Sequence, residues 1–455
     1  MSGGQQILRI SQALEKQLVK KTYNLSTSFV KEFNNRSGFV PFENQDASLR
    51  GCALIDHHVE PPIRIVSYDT QIFDHSYIKR SIDDALSYRQ QLSKNGLLDI
   101  SKNAAYRLIN ETGDGLPGLA VDVFGDYIQM TTHTEHWCNY LNYIGDYIMK
   151  EMGLKGAYWK AKFKHKQSFA KHYMGERVGY DSQGVSELRV EENGMKVIID
   201  LEDVISTGLF MDQRDNRKYL ATLFKERPSG TILNTFAHTS TFSLLPSLLC
   251  RNISTYNIDT SPKYLNIAKK NFEINGLNPD KHRFVEKDVF GRLEELPHKS
   301  LNFDVIVLDP PTLARGPKFG VFTTKNRYRD LLDLAIPCLK KGGFIVSFVN
   351  TRLLKEDSWL RQLGVVDHMA DQQQQQQQQV NKNKESLSSS IAEEEEEDLN
   401  LLQEYKDLNI KEAKFSAASK MNGNDLNRYN HWNNHQILDS NLVMNVLVNI
   451  SKELY

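Results

Sequence analysis

The feature that most constrains the fold is a regular alternation of apolar runs and helical segments that begins at Thr231. The five apolar runs have the length and composition of buried strands and cover 231–236, 254–259, 283–288, 303–309 and 344–348. One intervening helix has clear ends, because Ser261 is a typical N-cap, Pro262 suits the first helical position and Gly276 is a natural stop. The last helix is predicted over 326–340. This alternation predicts an α/β domain with a doubly wound, Rossmann-like, mainly parallel sheet.

The chain before this domain has a different pattern. Short strand-like runs alternate with turns from Gly51 onward, and residues 76–93 have the apolar periodicity of a helix. We therefore predict a smaller α+β accessory domain over 76–190 and place the main α/β domain at 191–370. Residues 1–50 show neither pattern clearly and are predicted to be a helical or poorly defined extension.

A low-complexity segment interrupts the C-terminal part of the chain. Residues 372–379 are all glutamine, and an acidic run at 393–398 follows an Asn- and Ser-rich stretch. Because such a segment buries too little apolar surface to offset its ordering entropy, 371–398 is predicted to be a disordered insert. Residues 399–455 regain apolar content and are predicted to return to the main domain.

Composition excludes several classes of protein. The four cysteines lack Cys-x-x-Cys spacing, which argues against a structural zinc site or a disulfide scaffold and suits a reducing compartment. No run approaches the ~20 apolar residues of a membrane span. We therefore expect no metal and no membrane partner, and a cytoplasmic protein, with the mitochondrion or nucleus as alternatives. The net charge of −1 does not by itself indicate a polyanionic partner.

Acidic residues end three of the predicted strands. In a parallel doubly wound sheet, the ligand lies at the carboxyl ends of the strands, near the point where strand order reverses. Asp259 follows the first loop by about twenty residues, the spacing at which nucleotide-binding folds place an acid for the ribose hydroxyls. Asp288 is a weaker candidate for the adenine amino group. Capping of the next helix is the structural alternative for Asp259.

Asp309-Pro310-Pro311 follows the fourth predicted strand and is the sharper signal. Two consecutive prolines fix the backbone and remove two donors, so the Asp309 carboxylate and the Pro310 carbonyl remain as acceptors. Acceptors in this arrangement suit the placement of a planar amino or ring N–H group beside an electrophilic methyl group, a reaction that depends mainly on positioning. The alternative is that the prolines only turn the chain.

Six stretches of the chain form a recognisable set of motifs, namely 111–122 (ETGDGLPGLAVD), 206–217 (STGLFMDQRDNR), 234–239 (NTFAHT), 259–277, 309–315 (DPPTLAR) and 341–344 (KGGF). Together they resemble class I S-adenosylmethionine-dependent methyltransferases. More narrowly, they resemble the bacterial large-subunit rRNA methyltransferases that carry an N-terminal PUA-like module. The resemblance extends from about Gly51 to Leu354 and implies that 51–75 is the remnant of the PUA-like module.

The resemblance implies an enzyme that uses S-adenosyl-L-methionine to methylate RNA, most narrowly ribosomal RNA during rRNA processing. It assigns the cofactor to residues at the predicted strand ends, namely Asn234, Phe236, His238, Thr239, Ser240, Asp259, Thr260, Asp288, Val289 and Asp309. Catalysis falls to Asp309, Pro310 and Pro311. Arg214, in the segment that leads into the main domain, is a candidate for substrate binding.

The chain departs from that family at two places. The family usually has Gly-Gly after the threonine of the cofactor loop, where this chain has Ser240-Thr241, and glycine permits positive φ and close approach to a ligand. Members that make 5-methylcytosine carry a cysteine nucleophile just past the fifth strand, where this chain has Asn350. Cytosine C5 needs a thiolate at C6 before it reacts, so we predict a different acceptor atom.

A basic and aromatic stretch at 155–177 is the candidate RNA surface. Lys160, Lys162, Lys164 and Lys166 alternate, which would place them on one face of a strand, and five aromatic residues lie among the basic ones. Cations for phosphates and rings for stacking are typical of surfaces that bind single-stranded RNA. An edge strand protected by lysines is the equally open alternative.

Three other functions remain open. A nicotinamide-dependent oxidoreductase could use a similar sheet, but no G-x-G-x-x-G follows the first strand. A catalytically impaired RNA-binding pseudoenzyme could retain the fold, with Ser240, Thr241 and Asn350 as marks of lost activity. A protein or small-molecule acceptor is also compatible, because the sheet alone does not select the substrate.

Overall fold

The computed structural model describes residues 7–33, 36–224, 229–250, 252–316, 320–350, 358–359, 362–363 and 443–448. The chain divides at Arg214 into two compact units. The disordered insert predicted at 371–398 lies outside the described residues. So does most of 399–455. Among the helices that the structure describes, none has the length and apolar character needed to cross a membrane.

The first unit begins with a five-stranded sheet in the order β1-β3-β4-β5-β2. Its elements are β1 (Leu8–Arg9), α1 (Gln12–Leu18), β2 (Asn24–Leu25), β3 (Gly38–Glu43), β4 (Arg50–Ile55) and β5 (Ile63–Ser67). Leu14 and Leu18 of α1 pack with Phe42 and Ile65 of the sheet in one buried cluster. The sheet therefore has its own small core.

This sheet differs from the prediction for the N-terminal extension. Residues 1–50 were expected to be helical or poorly defined, yet they supply β1, β2 and β3, and β3 pairs antiparallel with β4 along its whole length. The boundary predicted at residue 50 thus falls inside one sheet. The sequence gives little warning because β1 and β2 have two residues each, too few to show alternation, and β3 contains Pro41, which is uncommon within a sheet.

A second five-stranded sheet, in the order β10-β9-β8-β7-β6, follows in the same unit. Its elements are α2 (His75–Lys94), β6 (Ala105–Asn110), β7 (Leu119–Phe124), β8 (Tyr127–Thr132), α3 (Leu141–Met152), β9 (Gly156–Ala161) and β10 (Phe169–Gly175). Both helices pack on one apolar face; Ile78 and Ile82 of α2 and Ile144 of α3 are fully buried there. The opposite face carries polar side chains.

A hairpin extends the first unit past the predicted boundary at 190. It consists of β11 (Arg189–Glu192) and β12 (Met195–Ile198), and Glu191 forms a bridge with Ala104 beside β6. The hairpin was expected in the second domain. Its pairing with the residues before β6 instead keeps it in the first.

A buried ion pair connects α2 to the turn after β6. Arg89 binds both carboxylate oxygens of Asp114 at 2.5 and 2.7 Å, and Asp114 also accepts the backbone N–H of Asn110 at 2.6 Å. The two side chains are only 9% and 11% exposed. Removal of the arginine would leave the carboxylate of Asp114 with little access to solvent and without its counterion. An uncompensated buried charge of this kind is strongly destabilising.

The second unit contains a six-stranded sheet in the order β15-β14-β13-β16-β19-β20. Its strands are β13 (Ser229–Thr235), β14 (Asn252–Asp259), β15 (Arg283–Glu286), β16 (Phe303–Leu308), β19 (Leu339–Asn350) and β20 (Val443–Val448). The first five are parallel, and β20 pairs antiparallel with β19. The predicted doubly wound, mainly parallel sheet is confirmed, and at least one segment of 399–455 joins it.

Helices connect these strands and cover both faces of the sheet. They are α4 (Arg214–Thr222), α5 (Thr241–Leu249), α6 (Pro262–Ile274), α7 (Val289–His298) and α8 (Thr324–Ala335). A hairpin of β17 (Leu313–Gly316) and β18 (Gly320–Thr323) lies between β16 and α8. Side chains of β13 and β16 enter the buried clusters on both sides, as expected for strands inside a covered sheet.

The last helix ends earlier than predicted. It stops at Ala335 rather than at Lys340, and β19 starts at Leu339, before the two glycines that were expected to end the helix. Pro337 accounts for the difference. Proline lacks the N–H that a continuing α-helix needs for its hydrogen bond, so the helix stops although Ile336 still has helical φ and ψ.

Replacement of Arg89 tests the buried ion pair. We expect Arg89→Met to lower the free energy of unfolding by about 3 kcal/mol, because Asp114 would be left buried with an uncompensated charge. Urea denaturation measures this loss. Arg80→Met on an exposed position of the same helix is the control and should change stability by less than about 0.5 kcal/mol. Equal effects of the two substitutions would contradict a stabilising role for the pair.

Candidate active site

Four loops meet at the carboxyl edge of the second unit's sheet. They follow β13, β14, β15 and β16, which are neighbours and run parallel, so their ends lie at one edge. Strand order reverses between β13 and β16, because the chain moves outward through β14 and β15 before it returns to β16. This edge is therefore where a doubly wound sheet binds its ligand.

The loop after β13 has an unusual backbone. Phe236, His238 and Ser240 all have positive φ, at 51°, 50° and 60°, although none is glycine. For a residue with a side chain, left-handed geometry costs about 1–2 kcal/mol. A loop with three such residues within five positions therefore stores appreciable strain. Such strain persists only where the surroundings enforce it, and it concentrates at functional sites.

Asp259, at the end of β14, holds this loop in place. One carboxylate oxygen accepts the backbone N–H of His238 at 2.7 Å, and the other accepts the N–H of Ser261 at 2.9 Å. The same side chain thus connects the strained loop to the first turn of α6. Ser261 itself caps that helix by accepting the N–H of Tyr264 at 3.4 Å. Support of the start of α6, the alternative role considered for Asp259, is therefore only one of its two contacts, and the other holds the loop.

A buried polar network supports the loop from below. Asn234 of β13 lies 3.5 Å from Asn257 of β14, whose amide oxygen accepts the hydroxyl of Ser243 in α5 at 2.6 Å. Asn234, Asn257 and Ser243 are each at most 1% exposed. Asn234 therefore fixes the relation between two strands and α5 from within the core, rather than from the surface of the edge.

Ser240 stands where glycine is expected, immediately before α5. Its side chain is fully buried, and its hydroxyl oxygen has no hydrogen-bond partner within the described part of the chain. Ser240 takes the N-cap position of α5 without a side-chain cap. The neighbouring Thr239 is also fully buried, and its backbone oxygen accepts the amide of Asn271 in α6 at 3.3 Å.

The remaining predicted cofactor residues occupy the neighbouring loops. Thr260 is exposed directly after Asp259. Asp288 caps α7 by accepting the N–H of Gly291 at 2.9 Å, and Val289 is buried in the core beneath that loop. The half-buried Asp288 thus has a structural role as the cap of α7. The sequence alone indicated only a ligand-binding role for it.

The Asp309-Pro310-Pro311 segment leaves the sheet at the end of β16. Asp309 is half-buried, Pro310 is buried and Pro311 is exposed, so the segment runs from the sheet outward to the solvent. The β17–β18 hairpin begins two residues later. Asp309 and Asp259 thus belong to loops at the same edge.

Tyr328 of α8 lies beneath this segment and was not singled out in the sequence. Its hydroxyl is within hydrogen-bond distance of the carbonyl oxygens of Leu308, at 3.2 Å, and Phe348, at 3.0 Å. Complete burial raises the pKa of the phenol far above its usual value, and the nearby charge of Asp309 adds to this effect. Tyr328 therefore stays neutral and stabilises the ends of β16 and β19 next to Asp309.

The proposed row of lysines in the first unit is not a row on a strand. Strand β9 ends at Ala161, so only Lys160 lies in it, while Lys162, Lys164 and Lys166 follow in the turn before β10. Lys160 is 4% exposed and donates to the backbone oxygen of Asp203 at 3.1 Å. Burial and the neighbouring charge of Lys162 lower its pKa to about 8. The other three are exposed.

Arg214 also makes contacts within the protein. Its guanidinium donates to the backbone oxygen of Ala105 and lies 3.6 Å from the buried carboxylate of Glu192. These contacts join the last residue of the first unit to its second sheet and its hairpin. They give Arg214 a structural role that the motif alone did not reveal.

None of the four cysteines, all of which lie in the described residues, forms a disulfide, and none lies in a loop at the edge described above. Cys338 is buried between α8 and β19 in the core, where its thiol contacts the backbone oxygen of Leu293 at 3.5 Å. The described residues contain no group of three or more metal-ligating side chains.

Comparison with families and curated proteins gives consistent matches. A family model for S-adenosylmethionine-dependent methyltransferases matches residues 166–377. The ribosomal RNA large subunit methyltransferase I of Aeromonas hydrophila is 31% identical over 280 residues, which are 60% of this chain and 67% of that protein. The protein of the same name from Pseudoalteromonas translucida is 27% identical over 362 residues, 78% of this chain and 88% of that protein.

Solved structures show the same fold. An S-adenosylmethionine-dependent methyltransferase from Streptococcus mutans matches with a TM-score of 0.65 and 22% identity, over 78% of this chain and 89% of that one. A methyltransferase solved in complex with S-adenosylhomocysteine matches over the same shares with a TM-score of 0.67. The likeness covers both units of the chain.

Ser240→Gly tests the strain in the loop. Glycine takes positive φ without a steric penalty, and the change removes a buried hydroxyl that has no partner, so we expect a gain of about 1 kcal/mol in the free energy of unfolding. Thermal and urea denaturation measure it. Ser247→Gly within α5 is the control and should lose about 1 kcal/mol. A loss at both positions would show that the loop is not strained at Ser240.

Proposed function

Because the chain belongs to the family of S-adenosylmethionine-dependent methyltransferases, we propose that it methylates a base of RNA, with ribosomal RNA as the substrate. The observation that supports this most directly is the carboxyl edge of the sheet, where Asp259 restrains a strained loop and Asp309 begins a second loop. The choice of RNA rests on the curated relatives, which are named for the large ribosomal subunit.

The residues of the edge fit the cofactor in charge and placement. Each carboxylate oxygen of Asp259 uses one acceptor site for a backbone N–H and keeps another, which suits the ribose hydroxyls. The N-terminus of α5 carries the positive end of a helix dipole, which suits the carboxylate of the methionine part. The orphaned buried hydroxyl of Ser240 lies at this helix end.

The other assigned residues divide into two groups. Phe236, His238, Thr239 and Thr260 line or support the loops beside Asp259. Asp288, with Val289 buried beneath it, belongs to the loop proposed to lie against the adenine. Asn234 acts through the network beneath the loop and is a positioning residue. When bound, S-adenosylmethionine supplies the electrophilic methyl group of the reaction.

Asp309 is the proposed catalytic residue. Its carboxylate accepts an N–H of the target base, and Pro310 and Pro311 fix the backbone so that this acceptor keeps its position. Tyr328 holds the carbonyl of Leu308, the residue before Asp309, and thereby restrains the start of the segment. Catalysis then consists mainly of in-line positioning, with a carboxylate near the proton that must leave.

The acceptor atom is proposed to be a ring or exocyclic nitrogen. Among the described residues, no cysteine lies in the loops at the edge, and Cys338 is enclosed in the core. Methylation of cytosine C5 requires a thiolate nucleophile, whereas a nitrogen needs only orientation and a proton acceptor. The free cysteines also suit the cytoplasm as the proposed compartment.

The product of the reaction tests this function. The purified enzyme, incubated with S-adenosylmethionine and unmodified ribosomal RNA, should yield one methylated nucleoside that carries the methyl group on nitrogen. Mass spectrometry of the digested RNA identifies it. Formation of 5-methylcytosine would refute the assignment of the acceptor, and absence of transfer to any RNA would refute the proposed substrate.

Asp309→Ala tests the catalytic role. We expect kcat to fall about 100-fold, as is typical for the loss of a positioned proton acceptor, while the affinity for S-adenosylhomocysteine changes much less. Single-turnover methylation and calorimetry measure the two effects. Asp280→Ala, on an exposed turn of the same unit, is the control. A variant of Asp309 with normal kcat would remove this residue from the mechanism.

A further inference from the structure

The hairpin of β17 and β18 directly follows the Asp309-Pro310-Pro311 segment and has two unlike faces. Ala314 of β17 is paired with Phe322 of β18, and both side chains pack against the core cluster of the second unit. Because side chains alternate along a strand, the residues on either side of this pair project from the opposite face. That face, called here the outer face of the hairpin, consists of Leu313, Arg315, Val321 and Thr323.

Aromatic contacts hold the inner face of the hairpin beside the loop after β13. The ring of Phe322 lies 5.0 Å from the ring of Phe290 in α7, and Phe290 lies 6.1 Å from Phe236 in that loop. Phe322 is buried. The hairpin is therefore packed close to the loop assigned to the cofactor, and it also begins only a few residues after Asp309.

Contacts with the first turn of α8 restrain both sides of the hairpin. The backbone N–H of Thr324 donates to the backbone oxygen of Thr312 at 3.2 Å, next to the start of β17. The guanidinium of Arg327 donates to the backbone oxygen of Val321 in β18 at 2.9 Å. A two-stranded hairpin is only marginally stable by itself, so these contacts and the buried ring of Phe322 give the outer face a defined position.

The outer face exposes apolar side chains. Leu313 is 53% exposed and Val321 is 50% exposed. Among the described residues of the second unit, only Tyr219 and Leu249 are other large apolar residues with comparable exposure. Single exposed apolar side chains are ordinary, but two that are neighbours on one face beside a candidate active site indicate a contact surface.

Arg315 adds a positive charge to the outer face. Its side chain is exposed, and within the part of the chain that the structure describes it takes part in no salt bridge or hydrogen bond. The neighbouring Arg327, by contrast, is paired with Asp330 at 2.7 Å. The sequence of 310–329 contains arginines and lysines but no aspartate or glutamate. The outer face therefore combines apolar surface with a guanidinium that suits an anionic partner.

We propose that the outer face of the hairpin binds an RNA nucleotide that flanks the target base, with Arg315 donating to its phosphate and Leu313 and Val321 packing against its base. The proposal rests on the proposed function and adds a contact with the acceptor outside the catalytic segment. The planar fork of a guanidinium matches two oxygens of a phosphate. Single-stranded RNA presents unstacked bases, whose apolar surface suits two aliphatic side chains.

The length of chain between Asp309 and the outer face allows one RNA strand to contact both. Leu313 follows Asp309 by four positions, and four residues span at most ~14 Å. A strand whose bases are splayed apart covers such a distance within a few nucleotides. In a duplex the bases are stacked and paired, so Leu313 and Val321 would gain no base surface to pack against.

Variants of Arg315 in the full-length protein test the phosphate contact. The probe is a fluorescent single-stranded RNA of mixed sequence and about 20 nucleotides, titrated at several salt concentrations. Arg315→Gln should reduce the slope of log affinity against log salt by about 0.7 and weaken binding about 5-fold at low salt. Arg315→Lys keeps the charge and should retain the slope. Arg283→Gln, at the exposed first residue of β15 on the opposite edge of the sheet, is the control and should change neither.

The double variant Leu313→Thr/Val321→Thr tests the contact with the base. Both positions are exposed and threonine favours strands, so we expect the fold and the affinity for S-adenosylhomocysteine to be unchanged. Affinity for the single-stranded probe should fall about 5-fold through lost apolar contact, with the salt slope of the wild-type protein. Binding of a duplex of the same sequence should not change. An equal loss with the duplex, or no loss with the single strand, would overturn the assignment of an unstacked base to this face.

The other outcomes distinguish failure of this proposal from failure of the proposed function. A salt slope of Arg315→Gln equal to that of Arg283→Gln would overturn the phosphate contact and leave the proposed function intact. Absence of RNA binding by a wild-type protein that binds S-adenosylhomocysteine would overturn both. Methyl transfer to a ribosomal protein instead of RNA, with a rate that depends on Arg315, would overturn RNA as the ligand of the outer face.

Discussion

The second unit depends on the carboxylate of Asp259. Its two oxygens accept backbone N–H groups from the loop after β13 and from the start of α6, at 2.7 and 2.9 Å. A carboxylate bound to two backbone donors forms charge-assisted hydrogen bonds, which are stronger than neutral ones. This interaction helps to offset the strain of three positive-φ residues in the loop.

The departure from glycine at Ser240 becomes understandable in this setting. Ser240 is fully buried, and it still adopts the left-handed backbone that glycine would take freely. The loop therefore has a left-handed residue at this position, at a cost in stability. Strain of this kind is typical of functional sites.

Much of the second unit could be predicted because local signals agreed with the fold. Ser261 and Pro262 mark the start of α6 in both sequence and structure, and the apolar run at 303–309 became the central strand β16. The predictions failed where tertiary contacts decide. Lys160 alternates with its neighbours in sequence, but β9 ends one residue later, and only Lys160 is buried against Asp203. Tyr328 gave no sequence signal, because its role comes from two carbonyls on distant strands.

The most direct test of the account is calorimetric titration of the full-length protein with S-adenosylhomocysteine, with Asp259→Ala as the comparison. The account predicts one binding site in the wild-type protein and a loss of affinity of at least about 10-fold in the variant, which loses both the ribose acceptor and the restraint on the loop. Absence of binding by the folded wild-type protein, or equal affinity of the two proteins, would contradict it.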